Sequence, residues 1–213
     1  MRLLLIRHGD AHAGFHGVIG GETGCTGLTE LGRAQASALC DHLARTSRVH
    51  ADVLVASTLR RAIETADLIA PGLGLEVSAH ERDLCEVHTG EADGLTWTEY
   101  TTRYGSFDMV AEPDRTFAPE GDSWNSFHER VDRVLHLLAD EHAERTVVAV
   151  CHAGVIMASL RVLLPITVPS ADLRPSNTGV TEWEHDTERG RWVLHGFNDT
   201  AHLLDLGGAT PPP

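Results

Sequence analysis

Not one lysine occurs among the 213 residues; all 17 basic residues are arginine. That single absence removes several mechanisms. A Schiff-base lysine, a pyridoxal anchor and the lysine of a phosphate-binding P-loop are all impossible. There is no G-x-S-x-G elbow and no G-x-G-x-x-G fingerprint. The four cysteines, Cys25, Cys40, Cys85 and Cys151, show no C-x-x-C spacing. With no secretion signal ahead of them, they read as reduced thiols in a cytoplasmic protein. Cys151 lies inside an apolar run and reads as core. The longest apolar runs are far too short to span a bilayer. Positive charge is also scarce, for the formal net charge is −14. A field of that sign repels nucleic acid and anionic membranes. It bears less on a small phosphorylated ligand, which feels mostly local charge.

What is present begins with Leu3-Leu4-Leu5-Ile6, a buried-strand signal that ends in Arg7-His8-Gly9. Glycine lets the chain turn there. An imidazole and a guanidinium are left at the carboxyl end of a strand, where open α/β sheets build their sites. The pair suits phosphate chemistry: a planar fork holds two oxygens, and an imidazole nitrogen attacks phosphorus. Two later segments repeat the pattern. Val53-Leu54-Val55-Ala56-Ser57 leads into Thr58-Leu59-Arg60-Arg61-Ala62, the start of a helix with two arginines, and Val147-Val148-Ala149-Val150-Cys151 leads into His152-Ala153-Gly154. Parallel strands bring such ends together, next to a helix N-terminus that favours an anion.

Strand and helix signals alternate along the chain. They predict a three-layer α/β/α sandwich around a mostly parallel central sheet. One catalytic domain is expected over 1–206, with a flexible tail at 207–213. Strands are expected at 3–7, 53–56, 76–79 and 147–151, with a closing pair at 179–185 and 191–197. Helices are expected from Thr29-Glu30 to about 46, over 58–70 with closure by Pro71-Gly72, near 96–104, from Gly121-Asp122-Ser123 to about 143, and from 152 to about 164. Residues 10–27 show no helical period and read as a loop. Residues 88–121 read as a substrate-facing insertion.

Six segments in order carry a resemblance: LLLIRHG at 3–9, GLTELGRAQA at 27–36, STLRRAIETA at 57–66, LCEVHTGEADGLT at 84–96, EGDS at 120–123 and VVAVCHAGV at 147–155. Together they resemble the histidine phosphatase superfamily, also called phosphoglycerate-mutase-like. The resemblance implies phosphoryl transfer through a phosphohistidine. His8 is then the nucleophile, Arg7 and Arg61 hold phosphoryl oxygens, His152 is the second histidine, and Glu86 is the proton donor. Arg61 takes the arginine role because it directly precedes the Ala of the S-x-L-x-R-A pattern, and Arg60 falls at the variable position. Glu81, Glu91 and Asp93 remain alternatives to Glu86. Asp122-Ser123 reads as a helix cap. His8, His12 and His16 have i, i+4 spacing, but glycines at 9, 14 and 17 make a poor helix, so no metal site is expected.

The chain departs from the family pattern at Ala11 and Gly14, where a hydroxyl and an amide contact are missing. Gly20 and Gly21 fall where the family brings backbone close to phosphate, and both are carried as substrate-binding residues. The family's mutases follow their catalytic Glu with Arg-His-Tyr and use a lysine. Here Glu86 is followed by Val87-His88-Thr89, and the lysine position reads Trp97. The reading is a phosphomonoesterase acting on a small phosphorylated metabolite, with no cofactor and no metal. A mutase-type phosphotransferase and a non-catalytic phospho-ligand-binding module are the alternatives. The implied partner is a small phosphorylated substrate, with no nucleic acid and no membrane; a homodimer is left open.

Overall fold

In a computed structural model, which describes residues 1–46, 50–164 and 173–206, six strands form one sheet. They are β1 (Arg2–Arg7), β2 (Val53–Ser57), β3 (Val77–Glu81), β4 (Thr146–Cys151), β5 (Val180–Asp186) and β6 (Arg191–Asp199). Their order across the sheet is β3-β2-β4-β1-β5-β6. The first four are mutually parallel, while β5 and β6 run antiparallel at one side. The helices are α1 (His12–Phe15), α2 (Glu30–Thr46), α3 (Arg60–Leu73), α4 (Trp97–Tyr104), α5 (Trp124–Glu141) and α6 (Ala153–Leu163).

Continuous apolar strands require cover on both faces, and the packing supplies it. Leu3, Leu5, Val53, Val55, Val147 and Ala149 meet α5 and α6 through Phe127, Val131, Leu135, Val155 and Ile156. Their neighbours Leu4, Ile6, Leu54, Ala56, Val148 and Val150 meet α2 and α3 through Leu39, Leu43, Ala62, Ala66 and Ile69. The result is helix, sheet and helix in three layers, with the parallel strands in the middle. Among the described residues, no helix is long and apolar enough to cross a membrane.

Several boundaries differ from the sequence reading. The stretch 10–27 holds one helical turn, α1, whose chain neighbours pair elsewhere: Ala11 bridges Leu28 and Val18 bridges Thr96. Helix α3 is not closed by Pro71-Gly72. It runs to Leu73 and is capped by Gly74 at φ 67°, whose N–H reaches back to the Ala70 and Pro71 carbonyls. Gly72 has a packing role instead, because a Cβ there would run into the Cys40 carbonyl of α2. Thr96 and Ser123 each begin a helix with reciprocal capping bonds, as their sequence positions suggest. The expected tail at 207–213 lies outside the described residues.

The turn after β1 is held by α2. Thr29 Oγ1 donates to Asp10 Oδ2 at 2.6 Å and accepts the Gly32 N–H at 3.0 Å. This close seating needs two glycines. A Cβ on Gly9 would lie 2.5 Å from the Gly32 carbonyl oxygen, and one on Gly32 would collide with the Asp10 carbonyl. Both obstacles are backbone, so neither yields by rotating a side chain. Gly32→Ala is therefore expected to cost about 1–3 kcal/mol, the scale of overpacking. Thermal unfolding should show a Tm lowered by about 2 °C or more; an unchanged Tm would contradict the packing account.

Candidate active site

Three parallel strands, β2, β4 and β1, lie side by side, and a predicted site residue stands at or shortly past the end of each. Arg7 closes β1 and His8 follows it. Arg61 is the second residue of α3, just beyond β2. His152 follows β4 and is the N-cap residue of α6. His8, Arg61 and His152 are all buried.

The two nitrogens of His8 are distinguished by their partners. Nδ1 lies 2.7 Å from the Gly9 carbonyl oxygen, and Nε2 receives the Arg61 Nε–H at 3.0 Å. A carbonyl only accepts and a guanidinium only donates. Hence Nδ1 carries the proton and Nε2 the lone pair. Burial first, then Arg61 and Arg7, holds the His8 pKa well below its ordinary value. The imidazole is neutral, as a nucleophile must be.

Arg61 is itself fixed, with Nη1 donating to the Gly20 carbonyl at 2.7 Å. Arg60 points away, is exposed, and pairs with Glu64 at 2.8 Å. The structure thus turns Arg61, not Arg60, toward His8. Arg7 donates from Nη1 to the Pro175 carbonyl at 2.6 Å, and its pKa is lowered chiefly by burial. It stays cationic throughout the working range. His152 sits with its ring centre 5.0 Å from that of His8. Its pKa is also pushed well down, by burial and then by Arg61, His8 and Arg7.

Glu86 reaches the same place from a loop after a 3-10 turn at Arg82–Leu84. Its Oε2 accepts the Gly154 N–H at 3.0 Å, at the start of α6. Glycine at 154 leaves room for that carboxylate, since a Cβ there would push Glu86 out of this position. The alternatives to Glu86 are engaged elsewhere. Asp93 accepts from the N–H groups of Gly21, Thr23 and Gly24, and Glu91 pairs with Arg103 on the exterior. Glu81 is the last residue of β3. For the two loop glycines, the carbonyl of Gly20 accepts from Arg61 and the N–H of Gly21 donates to Asp93. In this arrangement they brace the loop against Arg61. His12 and His16 stack on each other at 6.0 Å, while His8 is bound to Arg61 and Gly9. Among the described residues, no group of three or more His, Cys, Asp or Glu is placed to hold a metal ion.

Some contributors go unnoticed in the sequence. Arg130 is buried on α5 and donates to the carbonyls of Asp83, Cys85 and Glu86 and to Asp122 Oδ2. It stitches the Glu86 loop to the sandwich. Its signal is an arginine three residues from Phe127, on the buried face of an amphipathic helix. Asn177 donates to the His8 carbonyl at 2.9 Å, and Ser57 contacts His152; only folding brings these together. A cavity of about 230 Å³ beside Glu86 is lined by Arg82, Val87, His88, Thr89 and Glu120, among others. A larger cavity, about 350 Å³, lies beside Leu4, Leu39 and His202, and none of the predicted site residues lines it.

The arrangement matches a known pattern over almost its whole length. Residues 3–200 match the family model of the histidine phosphatase superfamily (branch 1). This chain belongs to that superfamily. It is 28% identical over 209 residues to the metal-independent phosphoserine phosphatase of Arabidopsis thaliana, covering 96% of this chain and 84% of that one. It is 30% identical over 225 residues to the glucosyl-3-phosphoglycerate phosphatase of Mycobacterium tuberculosis, covering 95% and 96%. Among solved structures, a phosphoserine phosphatase mutant from Entamoeba histolytica in complex with phosphoserine superposes with a TM-score of 0.75 at 28% identity, covering 95% of this chain and 99% of that one.

Two predictions follow from the geometry. Arg61→Lys keeps the charge but loses the planar fork, so kcat/KM should fall about tenfold or more, roughly 1.4 kcal/mol. Arg60→Lys should stay near the parent; the reverse result would refute the assignment. Buried neutral histidines also couple folding to pH. Below about pH 6.5 the unfolded chain takes up protons that folded His8 and His152 refuse. Their contribution is full above that pH and is lost as pH falls toward the depressed folded values. Denaturant melts at pH 7.5 and 5.0 should show lower stability at the acid value; equal stability would contradict neutral burial.

Proposed function

We propose that this chain is a phosphomonoesterase that hydrolyses a small phosphorylated metabolite through a phosphohistidine on His8. The observation that carries the reading is the Gly9 carbonyl–His8–Arg61 arrangement, which leaves one lone pair, on Nε2, in a cationic setting. The relatives named above are phosphatases of phosphoserine and of glucosyl-3-phosphoglycerate. Both names describe small phosphorylated compounds.

In the first step the Nε2 lone pair forms a bond to phosphorus as the bond from phosphorus to the alcohol oxygen breaks. The electron pair leaves with that oxygen, which takes a proton from the Glu86 carboxyl. Arg61 releases Nε2 as the phosphoryl group arrives, and its fork joins Arg7 and His152 on the equatorial oxygens. In the second step water bonds to phosphorus and gives a proton to the Glu86 carboxylate. The P–N bond breaks and its pair returns to Nε2. The protein supplies position, fixed charge and one proton, which is what this transfer requires.

The cavity beside Glu86 receives the alcohol. Its size and its Arg82, His88, Thr89 and Glu120 lining suit a small polar leaving group. Residues 88–121 supply part of that wall, in keeping with a role in choosing the substrate. A mutase would require a bisphosphate to sustain turnover, and a hydrolase releases inorganic phosphate without one.

His8→Ala should remove turnover of p-nitrophenyl phosphate while the circular-dichroism spectrum is kept. The parent's activity should be indifferent to chelator. Full activity in the variant, or loss with chelator and return with a divalent ion, would refute the reading. Glu86→Gln should cripple an alkyl phosphate and spare p-nitrophenyl phosphate, whose leaving group needs little protonation. Equal losses on both substrates would make Glu86 a positioning residue instead.

A further inference from the structure

His152 is fully buried, and its two ring nitrogens keep unlike company. Nε2 lies 2.7 Å from Ser57 Oγ, and Nδ1 is buried with no hydrogen-bond partner. Nδ1 is therefore the nitrogen left for a ligand. Ser57 ends β2 and is also fully buried. Its oxygen accepts the Leu59 N–H at 3.2 Å and lies 3.2 Å from Cys85 Sγ, which is 3.1 Å from Thr58 Oγ1. None of these groups enters the chemistry described above.

The remaining step is a count of protons. The His152 ring is neutral, held so by burial and by Arg61, His8 and Arg7. A neutral imidazole carries one N–H. Phosphoryl oxygens only accept, so a neutral His152 helps to hold one only if Nδ1 bears the proton. Nε2 then carries the lone pair and needs a donor, and Ser57 Oγ is the group at hand. We infer that the Ser57 hydroxyl donates to His152 Nε2 and thereby fixes the tautomer that presents Nδ1–H to the phosphoryl group. The opposite assignment sets a lone pair on Nδ1 against oxygen lone pairs. It also leaves the Ser57 hydroxyl hydrogen to a sulfur, a weak acceptor. Ser57 is a positioning residue, because it touches His152 and not the reacting atoms, and Cys85 and Thr58 fill the space around its oxygen. This inference rests on the phosphatase reading of the site.

Nitrogen NMR of protein labelled at histidine tests it, with the His152 signals assigned through His152→Gln. In the parent, His152 should show a protonated Nδ1 and an accepting Nε2. Ser57→Ala should shift the ring toward the other tautomer and lower kcat/KM about tenfold, the scale of losing one oriented partner. Ser57→Thr, which keeps the hydroxyl, should retain the parent tautomer. A protonated Nε2 in the parent, whether as the other tautomer or as an imidazolium, would overturn the inference, and that measurement needs no variant of Ser57 to fold. An unchanged tautomer in Ser57→Ala would overturn it as well. The phosphatase reading is tested separately, by whether the parent releases phosphate from p-nitrophenyl phosphate.

Discussion

The hydrogen bond from Arg61 Nε to His8 Nε2, opposed by the Gly9 carbonyl at Nδ1, is the contact on which the site depends. It sets the tautomer of His8 and, in the proposed reaction, stores a guanidinium where phosphoryl charge would arrive, while burial does most to keep the imidazole neutral. Because arginine does not release its proton, the arrangement holds across the working pH range. An ordinary surface histidine at this pH would be partly protonated and poorly nucleophilic. Burial and two cations remove that difficulty, at the expense of folding stability in acid.

The scaffold exists to make that contact. Strands β2, β4 and β1 are parallel neighbours, so Arg61, His152 and His8 converge although far apart in the chain. Close backbone approaches then fix the distances. Gly9 and Gly32 bring α2 onto the turn after His8, and Gly154 admits Glu86 to the start of α6. From the far side, residues 175–179 hold the strand end: Pro175 and Gly179 carbonyls accept from Arg7, and Thr178 N–H donates to the Arg7 carbonyl. An acidic chain thus keeps a cationic pocket by sequestering a few arginines rather than by its overall charge.

Much of this is readable from residues alone, and the reasons are physical. A run such as Val147 to Cys151 is apolar at every position, because both of its faces are covered. Arg7, His8, Arg61 and His152 are visible because each stands just past such a run. Arg130, Ser57 and Asn177 are not visible in that way, since their roles depend on partners more than forty positions away in most cases. The end of α3 misleads because Gly72 answers to a neighbouring helix, while the true cap is Gly74. The loop glycines 20 and 21 signal tight backbone, but their bonds run to Arg61 and Asp93, which sequence cannot indicate.

The central claim is that one nitrogen of one histidine carries the phosphoryl group. Mixing the protein with a phosphomonoester, quenching in base within the first turnover, and mapping the labelled residue by phosphorus NMR and peptide mass spectrometry tests it directly. The account predicts a phosphoryl group on Nε2 of His8, formed no more slowly than steady-state turnover. A phosphoryl group on Nδ1 of His8, on another residue, or on none during active turnover would contradict it.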